Sequence, residues 1–119
     1  MKIVVGATRQ PHALSRRQIE AIFSALPPEV TGGIREVWLE TGPWYAGRFE
    51  YDAQNARVRL ALVVPEKTPE TAREAIRILL EGLARLRAGE PFFERVRRGQ
   101  KDHEGFVNEW LPTCLHAAT

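Results

Sequence analysis

At 119 residues, 44% hydrophobic and 27% charged, the chain has the length and composition of one ordinary globular domain. Its one cysteine, Cys114, excludes an intrachain disulfide and a multi-cysteine zinc cluster, and favours a reducing compartment. The net charge of +2 comes almost wholly from arginines interleaved with acidic residues, a balance that suits a solvated face better than a phosphate-binding surface.

The first element is the short apolar run "KIVVGA", bounded by Gly6 and read as a strand. Its apolar stretch, Ile3 to Val5, is too short for a signal peptide or a membrane span, so the expected location is the cytoplasm and no membrane partner is expected. In "LSRRQIEAIFSALPP", Ser15 and Gln18 have capping-box spacing and Leu14 and Ile19 that of a hydrophobic staple. Ile19, Ile22, Phe23 and Leu26 continue as an apolar stripe until Pro27-Pro28 stops the helix.

Three strands are expected next. "IREVWLE" follows Gly32-Gly33; "GRFEYD" alternates, with Phe49 and Tyr51 on one face and Arg48, Glu50 and Asp52 on the other; "RVRLALVV" alternates with Val58, Leu60, Leu62 and Val64 on one side. The polar "DAQNA" between the last two is a hairpin turn. On the third strand Ala61 and Val63 soften the face opposite the core, which predicts partial cover there.

A second long helix starts at Thr68-Pro69, a capping hydroxyl followed by proline at the first helical position, and runs to Gly89. Ala72, Ile76, Leu79, Leu83 and Leu86 make its core stripe; Glu70, Arg73, Glu74, Arg77, Glu81 and Arg85 make its charged side. After a short piece around "PFFERVRR", "DHEGFVNEWL" predicts a last helix capped by Asp102 and kinked or ended by Pro112. The whole is α+β: a single domain over residues 1–119, with a small antiparallel-rich sheet and helices packed on one face.

The helix segment "LLEGLARL" and the downstream "DHEGFVNEW" resemble the SprT-like minimal zincins, in which such a helix reads "LLHELAHL" and a third ligand histidine follows in an "HGxxF"-like segment. The resemblance covers the chain from "GRFEYDAQNARVRLALVV" onward. It implies a zincin-like fold in which two histidines one turn apart hold zinc and the glutamate between them activates water. Here Glu81 stands at the first histidine, Gly82 at the catalytic glutamate and Arg85 at the second histidine. His103 alone stands at a ligand position. One imidazole does not hold catalytic zinc, and the fixed cation of Arg85 opposes it. The resemblance therefore implies a fold without its metal, and no cofactor is expected. A Glu81–Arg85 pair at i, i+4 would occupy the same space; Gly82 in mid-helix suggests close packing against a strand.

His12, His103 and His116 are scattered along the chain, and "VGATRQPHALS" lacks the full phosphate-loop pattern. Trp44 and Tyr45, adjacent in "ETGPWYAG", are candidates for anchoring a partner. The leading expectation is a non-catalytic cytoplasmic binding protein for a protein or peptide, using Trp44, Tyr45, Arg48, Glu81, Arg85 and His103. The resemblance places the peptide along a sheet edge beside the helix carrying Glu81, by strand addition. The alternatives are a metal-dependent hydrolase built on Glu81, His103 and Glu104, and a nucleic-acid partner held by Arg16, Arg17, Arg95, Arg97, Arg98 and Lys101.

Overall fold

Helices α1 (Arg16–Ala25) and α3 (Pro69–Arg87) begin where the sequence supplies its own cap. The computed structural model describes residues 1–6, 11–40, 47–61, 67–90, 92–95 and 103–119, the backbone alone for 92–95. Helix α1 (Arg16–Ala25) opens with the expected capping box: the Ser15 N–H donates to Gln18 Oε1 at 2.8 Å and the Gln18 N–H to Ser15 Oγ at 3.2 Å. The Gln18 side-chain amide also donates to the Ala118 carbonyl at 3.2 Å, tying the start of α1 to the end of the chain's last helix. A one-turn α2 (Pro28–Thr31) follows the double proline. Helix α3 (Pro69–Arg87) is capped by Thr68 with Thr71 and carries proline at its first position.

Gly89, at φ +87°, closes α3 with a Schellman turn. Its N–H donates to the Leu86 carbonyl at 3.0 Å, and the Glu90 N–H donates to the Arg85 carbonyl at 2.8 Å. The last helix, α4 (Glu104–Ala117), has His103 at its N-cap where Asp102, outside the described residues, was expected, and Pro112 does not end it: the helix runs on through that residue. Pro112 removes one N–H from the helix ladder. It lies on the exposed side with Asn108, whose carbonyl would have accepted that bond, while Val107, Leu111 and Cys114 face the core. Water can therefore satisfy the freed carbonyl.

Strands β1 (Lys2–Val5), β2 (Glu36–Glu40), β3 (Gly47–Asp52), β4 (Arg57–Ala61) and β5 (Phe92–Arg95) form one sheet in the order β1-β2-β4-β3-β5. The sheet is mixed where an antiparallel-rich one was expected: β1, β2 and β4 run parallel, and β3 is antiparallel to both β4 and β5. Two nonlocal choices cause this. The α1 crossover returns β2 parallel to β1, and the β3–β4 hairpin inserts with β4, not β3, against β2.

Over the described residues the alternation holds as expected, Leu62, Val63 and Val64 lying outside them. Ile3, Val37, Leu39, Phe49, Val58 and Leu60 lie in the core beneath α1, α3 and α4. Arg48, Glu50, Asp52, Arg57 and Arg59 stand on the opposite face, where no described helix packs. Ala61, on that face, is 3% exposed, which matches the cover predicted from its small side chain.

Candidate functional site

The middle of α3 is buried almost all round, from Ala75 to Ala84, because the helix packs on β3 and β5 along one side and on α4 along another. Glu81, placed on the charged outer side by helical periodicity, is 1% exposed. That placement is corrected: a single buried stripe describes a helix with one packed side, and α3 has more than one. Arg85, one turn on, is half-buried and its Nη1 donates to Glu90 Oε2 at 3.0 Å, across the Schellman turn. Arg85 thus pairs forward with Glu90, and both Glu81 and Arg85 have further partners of their own.

Gly82 has a plain cause. The Phe49 ring of β3 lies directly against it, so that any Cβ at this position would overlap the ring, and Phe49 itself is fully buried. The helix gives up about 1 kcal/mol of propensity to let the strand's aromatic side chain approach its backbone. Positions 81, 82 and 85 thus hold a buried glutamate, a seat for the Phe49 ring and an arginine paired across the capping turn.

The remaining candidates do not join them. Arg48 is exposed and precedes Phe49 on β3, so it projects from the sheet face opposite α3. His103 is exposed, in the left-handed region at φ 54°, and its carbonyl accepts the Val107 N–H at 3.0 Å as α4 begins. It lies toward the C-terminal end of α3, since the Arg87 guanidinium stands 5.8 Å above the Phe106 ring one turn into α4. Trp44 and Tyr45 lie outside the described residues, as do Arg97, Arg98 and Lys101. Among the described residues there is no group of three or more His, Cys, Asp or Glu side chains that could hold a metal ion. His12 is buried beside β1, with Nε2 3.0 Å from the Gly6 carbonyl.

A second constellation was missed. On the face without helices, the Arg57 guanidinium stacks on the Trp38 ring at 3.7 Å while its Nε donates to Glu36 Oε2 at 2.7 Å. Asp52 Oδ2 lies 3.8 Å from Arg57 Nη1. Arg59 grips Glu40 through two bonds, of 2.6 and 3.1 Å, and reaches Glu50 at 3.9 Å.

The charges respond to this company. The Arg57 hydrogen bond holds the Glu36 carboxyl below its ordinary range, the Asn55 side-chain amide does the same for Asp52, and Glu40 raises Arg59. Alternating Glu, Trp and Arg on the outward positions was the available signal. Which strands pair, and in what register, decides that β2 acids meet β4 bases, and that pairing is nonlocal.

Among the described residues no helix is long and apolar enough to cross a membrane. Compared with known proteins, the chain matches no family model, no curated protein and no solved structure.

Proposed function

We propose that this chain is a non-catalytic binding domain for an extended segment of protein or peptide, a zincin-like fold that works without a metal. The observation that carries the reading is the use of α3: the ligand and base positions of the resembled helix are filled by Glu81 at 1% exposure, by Gly82 seated under Phe49, and by Arg85 bonded to Glu90. Each of those roles is structural, and each would have to be broken to rebuild a catalytic centre. Binding then rests on backbone presented at the sheet margin and on exposed side chains such as Arg48. A reducing, cytoplasmic setting suits the single buried thiol of Cys114.

The hydrolase alternative asks Glu81, His103 and Glu104 to share a cleft. Glu81 is enclosed while His103 and Glu104 are exposed at the start of α4, which favours the binding reading. A zinc titration followed by thermal unfolding tests the choice. A specific site held at a hundred times its dissociation constant would stabilise the fold by about 2.7 kcal/mol, a rise of several degrees in Tm. The binding reading predicts no rise. Its positive half is tested by selecting displayed peptides on the native chain: enriched clones should lose binding to an Arg48→Glu variant, and an absence of enriched clones would count against it.

A further inference from the structure

Strand β1 ends the sheet, and among the described residues it pairs with β2 alone. The Lys2 and Gly6 N–H groups donate to the Arg35 and Leu39 carbonyls at 3.1 and 2.8 Å, so these residues face β2. Backbone groups alternate sides along a strand; Ile3 and Val5 therefore present their N–H and C=O outward. The large hydrophobic side chains exposed among the described residues are Met1, at 55%, and Val5, at 44%, and both belong to this margin. Such an edge is a template for another strand, and native folds cover it or blunt it with charge. The one charge on β1, Lys2, stands opposite Glu36 of β2.

What the margin presents is its own complement. Turned antiparallel by a twofold axis at Val4, a second β1 sets its Val5 opposite Ile3 and its Ile3 opposite Val5. Both pairs join outward residues, which can exchange two backbone bonds each. Val4 then meets the second copy's Val4. Every side chain keeps its face: Val5 of one copy lies opposite Ile3 and diagonal to Met1 and Val5 of the other. The two Lys2 residues end four positions apart and do not meet. Helix α1 extends the match. Gln18 faces α4, so Arg16 and Glu20, exposed on the opposite side and one turn apart, face the β1 margin. The helix runs back along the strand, its Phe23 and Ser24 lining a groove with Met1. Val4 is about 10 Å from Met1 and thus level with the first turn of α1. The same axis lays the two copies of α1 antiparallel, bringing Arg16 of each toward Glu20 of the other. A four-residue edge alone is small against the about 800 Å² per partner of an ordinary interface, and the α1 flanks widen it.

We infer that the chain forms a symmetric dimer through the β1 margin, two sheets joining into one. The β5 margin, beside α3, lies at the far side of the sheet, outside this interface.

Sedimentation velocity of the full chain, from about 1 µM to about 100 µM, tests it. At the upper end the parent should sediment at twice its 13.5 kDa chain mass. Val5→Lys changes an exposed position that only the dimer buries; it should keep the parent's circular dichroism and weaken association at least about tenfold. Val4→Cys should give a covalent dimer on oxidation, because facing residues of a non-hydrogen-bonded pair have Cα atoms about 4.5 Å apart, within disulfide reach. Lys2→Cys should not, its two copies lying about 14 Å apart along the strands. Cys114 is fully buried and takes no part. A parent that stays monomeric, with Val4→Cys crosslinking no better than Lys2→Cys, would overturn the inference. A dimer that Val5→Lys leaves intact would overturn it too, by placing the contact on another surface. Where Val5→Lys disturbs the fold, the two cysteine variants decide. Each of these results leaves the binding reading to the peptide selection described above.

Discussion

The Phe49 ring lies directly against the backbone of Gly82, in the space that a Cβ there would need. A residue that costs helix propensity is placed where the strand's aromatic side chain needs the space.

The contact predicts an inverted effect for the usual helix-improving substitution. Gly82→Ala should destabilise the chain by roughly 1–3 kcal/mol, the cost of overpacking a core, despite alanine's better propensity. In urea unfolding, adding Phe49→Leu should recover part of that loss. A stabilised Gly82→Ala variant would show that the ring yields easily.

Burial of Glu81 predicts a cost well above that of a surface ion pair. Glu81→Gln keeps the shape and alters the buried polar group, and should cost roughly 1–3 kcal/mol in chemical denaturation, the penalty of a buried polar group left badly matched. An exposed pair at i, i+4 would cost only about 0.2–0.5 kcal/mol. A loss within that lower range would return Glu81 to the surface.

The open sheet face should respond to acid. Glu36 and Asp52 both have carboxyls held below their ordinary values in the fold, by Arg57 and by Asn55 respectively. Their contribution is therefore complete above the unfolded carboxyl range, about pH 4, and is lost as pH falls through the lower folded values. Arg57→Met should raise the pH midpoint of acid unfolding, and added salt should reduce the difference between variant and parent. An unchanged midpoint would mean that the pairing of Arg57 contributes nothing to acid stability.

Cys114 gives a contribution of opposite sign at high pH. It is fully buried, and burial pushes its thiol up to about 11. The folded state thus prefers the neutral thiol, and this preference is complete below the unfolded thiol value of about 8.5. It is lost as pH rises toward 11. Native protein should resist thiol reagents at neutral pH, and Cys114→Val should flatten the alkaline loss of stability. Rapid labelling of the folded chain would contradict the burial.

What could be read from the residues follows the range of the forces involved. The Ser15–Gln18 box, the Thr68-Pro69 start, the Gly89 cap and the alternation of β3 and β4 are local, and each stands in the structure as expected. The parallel pairing of β2 with β4 and the arrival of β5 on β3 join distant segments, and no local pattern encodes them. Glu81 was misplaced for the same reason, since its second packed side comes from distant elements. Arg48 could have been separated from Glu81 on the residues alone: with Phe49 assigned to the core, its neighbour on the strand must face away. The Arg57–Trp38 stack needed the β2–β4 register before Glu36, Trp38, Arg57 and Arg59 could be seen as one cluster.

The central claim is that the buried middle of α3, with Glu81 and Gly82, serves to hold the fold together and carries no metal centre. Elemental analysis of protein purified without chelator and without a histidine tag tests it most directly. The account predicts a folded chain free of stoichiometric metal. About one equivalent of zinc per chain would contradict it, and would mean that a metal centre exists outside the positions of Glu81, Gly82 and Arg85.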